Sequence, residues 1–151
     1  YRAILAFQLA EAEHGLDGVT ERIRQQAYRE PDEPQLLAGV ETGNRAAAVV
    51  YRNMAVDHGL PFYEFPDAYN FSNPAFADHY GSVSYTTDDG YTATGAPIVY
   101  NATVLNGADN PEAGHAFVRF LATSQAILQD NGLSVDGFPT THGAAPMEVT
   151  E

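Results

Sequence analysis

The chain has 151 residues, 44% of them apolar, which is enough to form a folded domain and excludes a disordered chain. Its 20 acidic and 7 basic residues give a net charge of -13, so repulsion excludes nucleic acid and anionic membrane surfaces as partners. All the basic residues are Arg, and an acidic chain without Lys is typical of a halophilic protein, whose charge repulsion is screened by concentrated salt.

Periodic apolar residues and capping signals predict three helices at the start of the chain. A helix is predicted over residues 3–14, followed by a glycine that suits a helix C-terminus. A second is predicted over 20–28, with Thr20 as its N-cap. The third begins at Pro34, because proline suits the first helical turn, and Gly43-Asn44 ends it.

Apolar stretches that alternate with helices predict an α/β fold. Residues 46–51 and 62–65 are predicted to be strands, joined by a helix over 52–58. The strongest predicted strand covers residues 96–105. This alternation predicts a mixed, mostly parallel sheet flanked by helices.

Several further elements are predicted. They are a loop over 66–80, a hairpin of strands 82–86 and 91–94, helices over 111–122 and 124–131, and an irregular arm over 133–151.

No motif of an enzyme class is present in the sequence. There is no Cys, no G-x-S-x-G setting for a Ser nucleophile, no P-loop and no dinucleotide-binding glycine motif. The His residues lack metal-ligand spacing, so each is predicted to lie at the surface or at a helix end. They are His14, His58, His79, His115 and His142. We therefore predict no enzymatic activity, no catalytic residue and no cofactor.

Two sequences match the acceptor pattern for N-glycosylation, Asn70-Phe71-Ser72 and Asn101-Ala102-Thr103. Because the pattern is short and common by chance, it gives only weak support for export. Asn101 lies in a strand that is predicted to be buried, which argues against its use as an acceptor.

The stretch from Glu33 to Tyr51 has features suited to anion binding. A helix N-terminus at Pro34-Gln35 offers N–H groups and a partial positive charge. Tyr51 adds a neutral O–H donor at the end of a predicted strand, where open α/β sheets bind ligands. Ordinary packing is the alternative, in which Pro34 opens the helix, Glu33 complements its dipole and Tyr51 is a core residue. The local pattern leaves both interpretations open.

Several blocks of the sequence form a specific pattern through their order and spacing. They are residues 36–44 (LLAGVETGN), 49–55 (VVYRNMA), 62–67 (FYEFPD), 70–74 (NFSNP) with 78–80 (DHY), 95–100 (GAPIVY), 110–112 (NPE) and 116–121 (AFVRFL). Together they resemble the archaeal molybdate/tungstate-binding proteins of ABC importers, which are type II periplasmic solute-binding proteins. The resemblance extends to about Gly132.

This resemblance implies that the chain is the C-terminal portion of such a protein. Residues 1–94 would form the second α/β lobe, and 95–132 a return strand and helices that pack on the first lobe. Residues 133–151 would form an irregular arm, and the first lobe would be absent. The start of the chain, which lacks Met and is predicted to be helical at once, agrees with a fragment or a processed product.

Ligand-binding residues are also implied by the resemblance. In the family the oxyanion lies in a cleft between two lobes, and Tyr51 matches the Tyr that donates a hydrogen bond to it. Glu33 stands where a carboxylate ligates Mo or W in archaeal members, an oxygen ligand that suits a high-valent metal. Pro34 and Gln35 would contribute the helix N-terminus, although Pro34 departs from the usual aliphatic residue and removes one N–H donor.

The predicted function is therefore an extracytoplasmic receptor that captures tungstate or molybdate and delivers it to the permease of an ABC importer. The parent protein is expected at the cell surface, held by a lipid anchor. The alternatives are a receptor for another anion such as sulfate, and a sensing or regulatory domain built on the same fold. Self-association of the chain is a further expectation, because faces meant for the first lobe would be exposed.

Overall fold

The computed structural model describes residues 1–29 and 32–141. The chain divides into two compact units, the first comprising residues 1–50 and 62–99 and the second residues 51–61 and 100–151. The domain assignment implied by the family resemblance stays a prediction. Within the described residues, no helix is both long and apolar enough to cross a membrane.

Helices make up most of the regular structure in the described residues. They are α1 (Arg2–Glu13), α2 (Val19–Gln26), α3 (Glu33–Glu41), α4 (Arg52–Asp57), α5 (Asp67–Asn70), α6 (Ala77–Tyr80), α7 (Pro111–Thr123) and α8 (Gln125–Asp130), with a 3-10 turn at Pro74–Phe76 before α6. The six longer helices that the sequence predicts are confirmed. The N-cap of α2 is Gly18 and not Thr20, which lies inside the helix and is buried.

Helix α1 supplies the aliphatic part of the core in the first unit. Leu5, Ala6 and Leu9 recur on one helical face and are buried. Burial of each Leu side chain contributes about 1.5–3 kcal/mol to stability. Helix α1 packs against α2, α5 and the first strand of the hairpin, so the fold of this unit is organised around it.

A carboxylate from α1 holds the start of α2. The backbone N–H of Val19 donates to Glu11 Oε1 at 2.7 Å, and that of Thr20 donates to Glu11 Oε2 at 3.4 Å. These N–H groups belong to the first turn of α2, where N–H groups have no hydrogen-bond acceptor inside their own helix. Hydrogen bonds from Thr20 and then from the backbone of Val19 lower the pKa of Glu11.

The aromatic part of the core centres on Tyr80, which is fully buried. Its ring lies 4.9 Å from that of Phe71 and 6.0 Å from that of Phe76, between centroids. Its hydroxyl donates to the carbonyl oxygen of Asp67 and accepts from the backbone N–H of Asn73 at 3.4 Å. Burial raises the pKa of Tyr80. These contacts fold residues 66–80, predicted to be a loop, into α5, the 3-10 turn and α6.

The predicted hairpin is confirmed. Strands β1 (Ser84–Thr86) and β2 (Thr92–Thr94) pair in antiparallel register, with Ser84 opposite Thr94 and Tyr85 opposite Ala93. Gly95 follows β2 and lies against α6, where an added Cβ would come within 2.0 Å of the carbonyl oxygen of Tyr80. Only glycine fits there without displacing the backbone.

The predicted fold class, an α/β fold with a mixed, mostly parallel sheet flanked by helices, is wrong for the described residues. They are mainly helical, and their only sheet is the β1–β2 hairpin. The stretches 46–51, 62–65 and 96–105, predicted to be strands, have no ladder of hydrogen bonds and are exposed or half-buried. Their composition suits strands, but strand formation depends on neighbouring strands and a buried face, which the described chain does not give them.

The second unit contains α4, α7 and α8. Gly132 follows α8 with a φ of +79°, and an added Cβ would lie 2.8 Å from Cα of Asn53 in α4. Gly114 in α7 leaves room for Val104, whose Cγ1 would lie 2.9 Å from an added Cβ. Helices α7 and α8 have no buried residue, and Phe117 and Phe120 of α7 are 59% and 50% exposed.

Candidate functional site

The N-terminus of α3 lies in the first unit and is shaped by Asp32. Asp32 has extended backbone angles, and its Oδ1 accepts a hydrogen bond from the backbone N–H of Gln35 at 3.1 Å. Its Oδ2 accepts from Nε2 of Gln35 at 3.2 Å. Asp is among the preferred N-cap residues because it satisfies an N–H group that has no partner inside the helix. Asp32 therefore fixes where α3 begins.

Glu33, Pro34 and Gln35 come together in the first turn of α3, and all three are exposed. Pro34 has no N–H, and the N–H of Gln35 is occupied by Asp32. Glu33, the acidic residue of the first turn, follows the N-cap Asp32, so two acidic residues stand at the positive end of the helix dipole. The arrangement offers exposed carboxylate oxygens and few free N–H groups.

The other end of α3 carries a cation. The backbone N–H of Arg45 donates to the carbonyl oxygen of Gly39 at 2.8 Å. The Arg45 guanidinium lies 4.3 Å from the centroid of the Tyr28 ring, in a cation–π contact. Arg45 follows the end of α3 and lies against its C-terminal half, whereas Asp32 and Glu33 stand at its N-terminus.

Tyr51 lies in the second unit, where it precedes α4 as the N-cap residue. It is half-buried, with φ of -72° and ψ of 148°, and its carbonyl oxygen accepts from the N–H groups of Met54 and Ala55. The predicted placement of its hydroxyl beside the first turn of α3 stays a prediction.

Asp32 is the residue that sequence reasoning missed at this site. A signal for it was present, because Asp32 precedes Gln35 by three positions just before the apolar pair Leu36-Leu37. This is the spacing of a helix N-terminal capping motif. The sequence predicts that Glu33 complements the helix dipole, but the carboxylate that accepts the capping hydrogen bond belongs to its neighbour Asp32.

A second surface feature lies on α7. An open depression of about 260 Å³ is lined by Glu112, His115, Ala116 and Arg119, which follow one face of that helix. None of the predicted ligand residues lines it. Among residues 1–29 and 32–141, no group of three or more His, Asp or Glu side chains is arranged to hold a metal ion.

Comparisons with known proteins find relatives whose names describe them as binding proteins. A protein of Halobacterium salinarum named as an uncharacterized solute-binding protein is 53% identical over 147 residues, or 97% of this chain and 48% of the relative. A Haloferax volcanii protein, proposed by its name to be an ABC transporter molybdenum-binding protein, is 38% identical over 89% of this chain and 43% of its own length. The molybdate/tungstate-binding protein of Thermococcus kodakarensis is 32% identical over 79% of this chain and 34% of its own length.

The chain spans less than half the length of each of these relatives. The family described as bacterial extracellular solute-binding protein matches residues 3–127, which is most of the chain. The chain therefore belongs to the bacterial extracellular solute-binding protein family.

Proposed function

We propose that this protein is the solute receptor of an ABC importer, and that its ligand is tungstate or molybdate. The observation that carries the proposal is the 32% identity, over 122 residues, with a relative named for binding molybdate and tungstate. The relative named for molybdenum binding supports the same ligand chemistry. The receptor would act outside the cytoplasm, held by a lipid anchor, and would deliver the oxyanion to a membrane permease.

In this proposal, Glu33 is a direct ligand of the metal. The net charge of -13 and the acidic residues Asp32 and Glu33 at the start of α3 repel a bare oxyanion. Direct ligation removes this difficulty, since a carboxylate oxygen bound to Mo or W is stabilised by the high-valent centre itself. Sulfate offers no such centre, so the same carboxylates select against it.

The proposed site takes its neutral donors from Tyr51 and Gln35. Tyr51 donates its hydroxyl hydrogen to an oxyanion oxygen. Gln35 donates through its side-chain amide once that amide leaves Asp32, to which it donates at 3.2 Å in the free protein. Pro34 contributes no N–H and instead fixes the backbone of the first turn.

Isothermal titration calorimetry of the full-length protein tests the proposal. We expect binding of tungstate and molybdate, no binding of sulfate, and a large loss of affinity in Glu33→Gln. The matched control is Glu13→Gln, which removes the same charge from an exposed position of α1 and should leave the affinity unchanged. No heat with either metal oxyanion would refute the proposed ligand, and tight sulfate binding would refute the role of Glu33.

A further inference from the structure

We propose that a contact between Tyr28 and Arg45 holds the first turn of α3 in position for the oxyanion, which makes both of them positioning residues of the ligand site. This inference rests on the proposed function and names residues that act through α3 without touching the ligand. The two residues lie on either side of α3 in the sequence and within the first unit, so their contact closes a loop that contains the helix. The role requires no surface of the chain to be open to a partner.

Helix α3 has little packing of its own to fix its direction. Leu37 is its only buried residue, and the residues of its first turn are exposed. Because packing of an apolar face is what normally orients a helix, one buried side chain leaves the direction of α3 weakly determined. That direction matters for the proposed site, since ligand-binding groups must be held within about 0.5 Å of their productive geometry.

The chain turns back after α3 and brings Arg45 against the helix. Gly43 lies in this turn with a φ of +73°, and the backbone N–H of Arg45 donates to the carbonyl oxygen of Gly39 at 2.8 Å. The side chain of Arg45 passes through the space that Gly39 leaves, where an added Cβ would lie 2.9 Å from Cγ of Arg45. Glycine inside a helix is less favourable than alanine, and here it makes room for the aliphatic part of Arg45. The backbone of Arg45 and the start of its side chain are therefore both fixed.

From this position the guanidinium reaches the segment that precedes α3. Its Cζ lies 4.3 Å from the centroid of the Tyr28 ring, which is within the range of a cation–π contact. Tyr28 comes just after the end of α2 and shortly before Asp32, the N-cap of α3. Arg45 therefore joins the segment that enters α3 to the chain that leaves it, and this contact limits the directions that the first turn, with Glu33, can take.

The contact acts by keeping the free protein ready to bind. Apparent affinity falls in proportion to the fraction of molecules whose site is in the binding-competent arrangement. Tyr28 is 63% exposed, and a cation–π contact at an exposed site favours one arrangement over the others by a factor of about two to five. Loss of the contact should weaken tungstate binding by up to that factor, which is far less than the loss expected when the ligand Glu33 is replaced.

Isothermal titration calorimetry of the full-length protein with tungstate, in concentrated salt, tests this role. Tyr28→Leu and Arg45→Gln should each weaken binding by about two- to fivefold. The double variant should bind no more weakly than either single variant, because both substitutions remove the same contact. Tyr28→Phe keeps an aromatic face for the cation and should bind like wild type. The matched control is Arg22→Gln, which removes the same charge from an exposed position of α2 and should leave the affinity unchanged.

Gly39→Ala separates positioning from stability. Alanine favours the helix, but its methyl group lies where the side chain of Arg45 passes. Since the gain in helix propensity offsets the lost contact, this variant should match wild type in urea denaturation and yet bind tungstate as weakly as Arg45→Gln does. An affinity loss in Gly39→Ala that comes with a matching loss of stability would overturn the positioning role.

The titrations also distinguish this role from the proposed function on which it rests. Wild-type affinity in Tyr28→Leu and Arg45→Gln, or losses that add in the double variant, would overturn the positioning role alone, because the wild-type protein still binds tungstate. A wild-type protein that binds neither tungstate nor molybdate would overturn the proposed function, and the positioning role with it.

Discussion

Substitutions of the neighbouring residues Asp32 and Glu33, at the start of α3, should have separate effects on stability and on ligand binding. Asp32→Ala removes the acceptor that lies 3.1 Å from the N–H of Gln35, and loss of such an N-cap costs about 1 kcal/mol of stability. Asp32→Asn keeps an acceptor oxygen and should cost less. Glu33 is exposed and interacts with the helix dipole, a contribution of about 0.3–1 kcal/mol at low ionic strength that salt screens. In concentrated salt, Glu33→Gln should therefore be close to wild type in stability.

Urea denaturation of the full-length variants, with and without tungstate, measures both effects. A ligand at about a hundred times its dissociation constant raises the free energy of unfolding by about 2.7 kcal/mol. We expect Asp32→Ala to be less stable than wild type yet to keep the tungstate-induced increase. Glu33→Gln should keep the stability of the free protein and lose the increase. The reasoning is refuted if Glu33→Gln destabilises the free protein as much as Asp32→Ala does, or if it keeps the full response to tungstate.

Three further predictions concern the first unit, and each is checked by denaturation. Tyr80→Phe keeps the ring but loses the bond to Asp67, at a cost of about 1 kcal/mol. Burial raises the pKa of Tyr80, so its neutral hydroxyl contributes fully to the stability of the folded state below the ordinary tyrosine pKa of about 10. This stability is lost at higher pH, and Tyr80→Phe should show no such loss. The lowered pKa of Glu11 gives stability that is complete above the ordinary value of 4.5 and falls with acid, so Glu11→Gln should weaken this acid dependence. Gly95→Ala should cost about 1–3 kcal/mol or more through its clash with the Tyr80 carbonyl, whereas Gly81→Ala, with its nearest neighbour at 3.4 Å, should be mild.

Helices could be predicted because their signals are local. Pro34 at the start of α3 and the glycine after α1 mark helix ends within a few residues, and the structure confirms both helices. The helices within residues 66–80 are harder to predict from the sequence. Helices α5 and α6 have four residues each and depend on contacts of Tyr80 with Asp67 and Asn73. Such contacts form only once the aromatic core is assembled.

Strands could not be predicted in the same way, because a strand needs a partner that the local sequence does not specify. Residues 82–86 and 91–94 carry their partner across a tight turn, and their pairing is confirmed. Residues 46–51 and 96–105 are more apolar than these two strands, but no neighbouring strand pairs with them in the described chain. Apolar composition alone therefore overestimated the sheet.

The family and the absence of enzymatic chemistry could be predicted, whereas the details of the site could not. Family membership confirms the resemblance to solute-binding proteins and the expectation that the chain is not an enzyme. Glu33 lies at the start of a helix as predicted, but the capping bond of its neighbour Asp32 was missed. The meeting of Glu33 with Tyr51 depends on tertiary contacts between segments and stays a prediction.

X-ray absorption spectroscopy at the tungsten edge tests the central claim most directly, because it reports the atoms bound to the metal in the full-length protein loaded with tungstate. If Glu33 ligates the metal, the bound spectrum should require an oxygen ligand beyond those of free tungstate, and Glu33→Gln should remove it. A bound spectrum identical to that of free tungstate, in a protein that nonetheless binds it tightly, would contradict metal ligation and assign the oxyanion to hydrogen-bond donors alone.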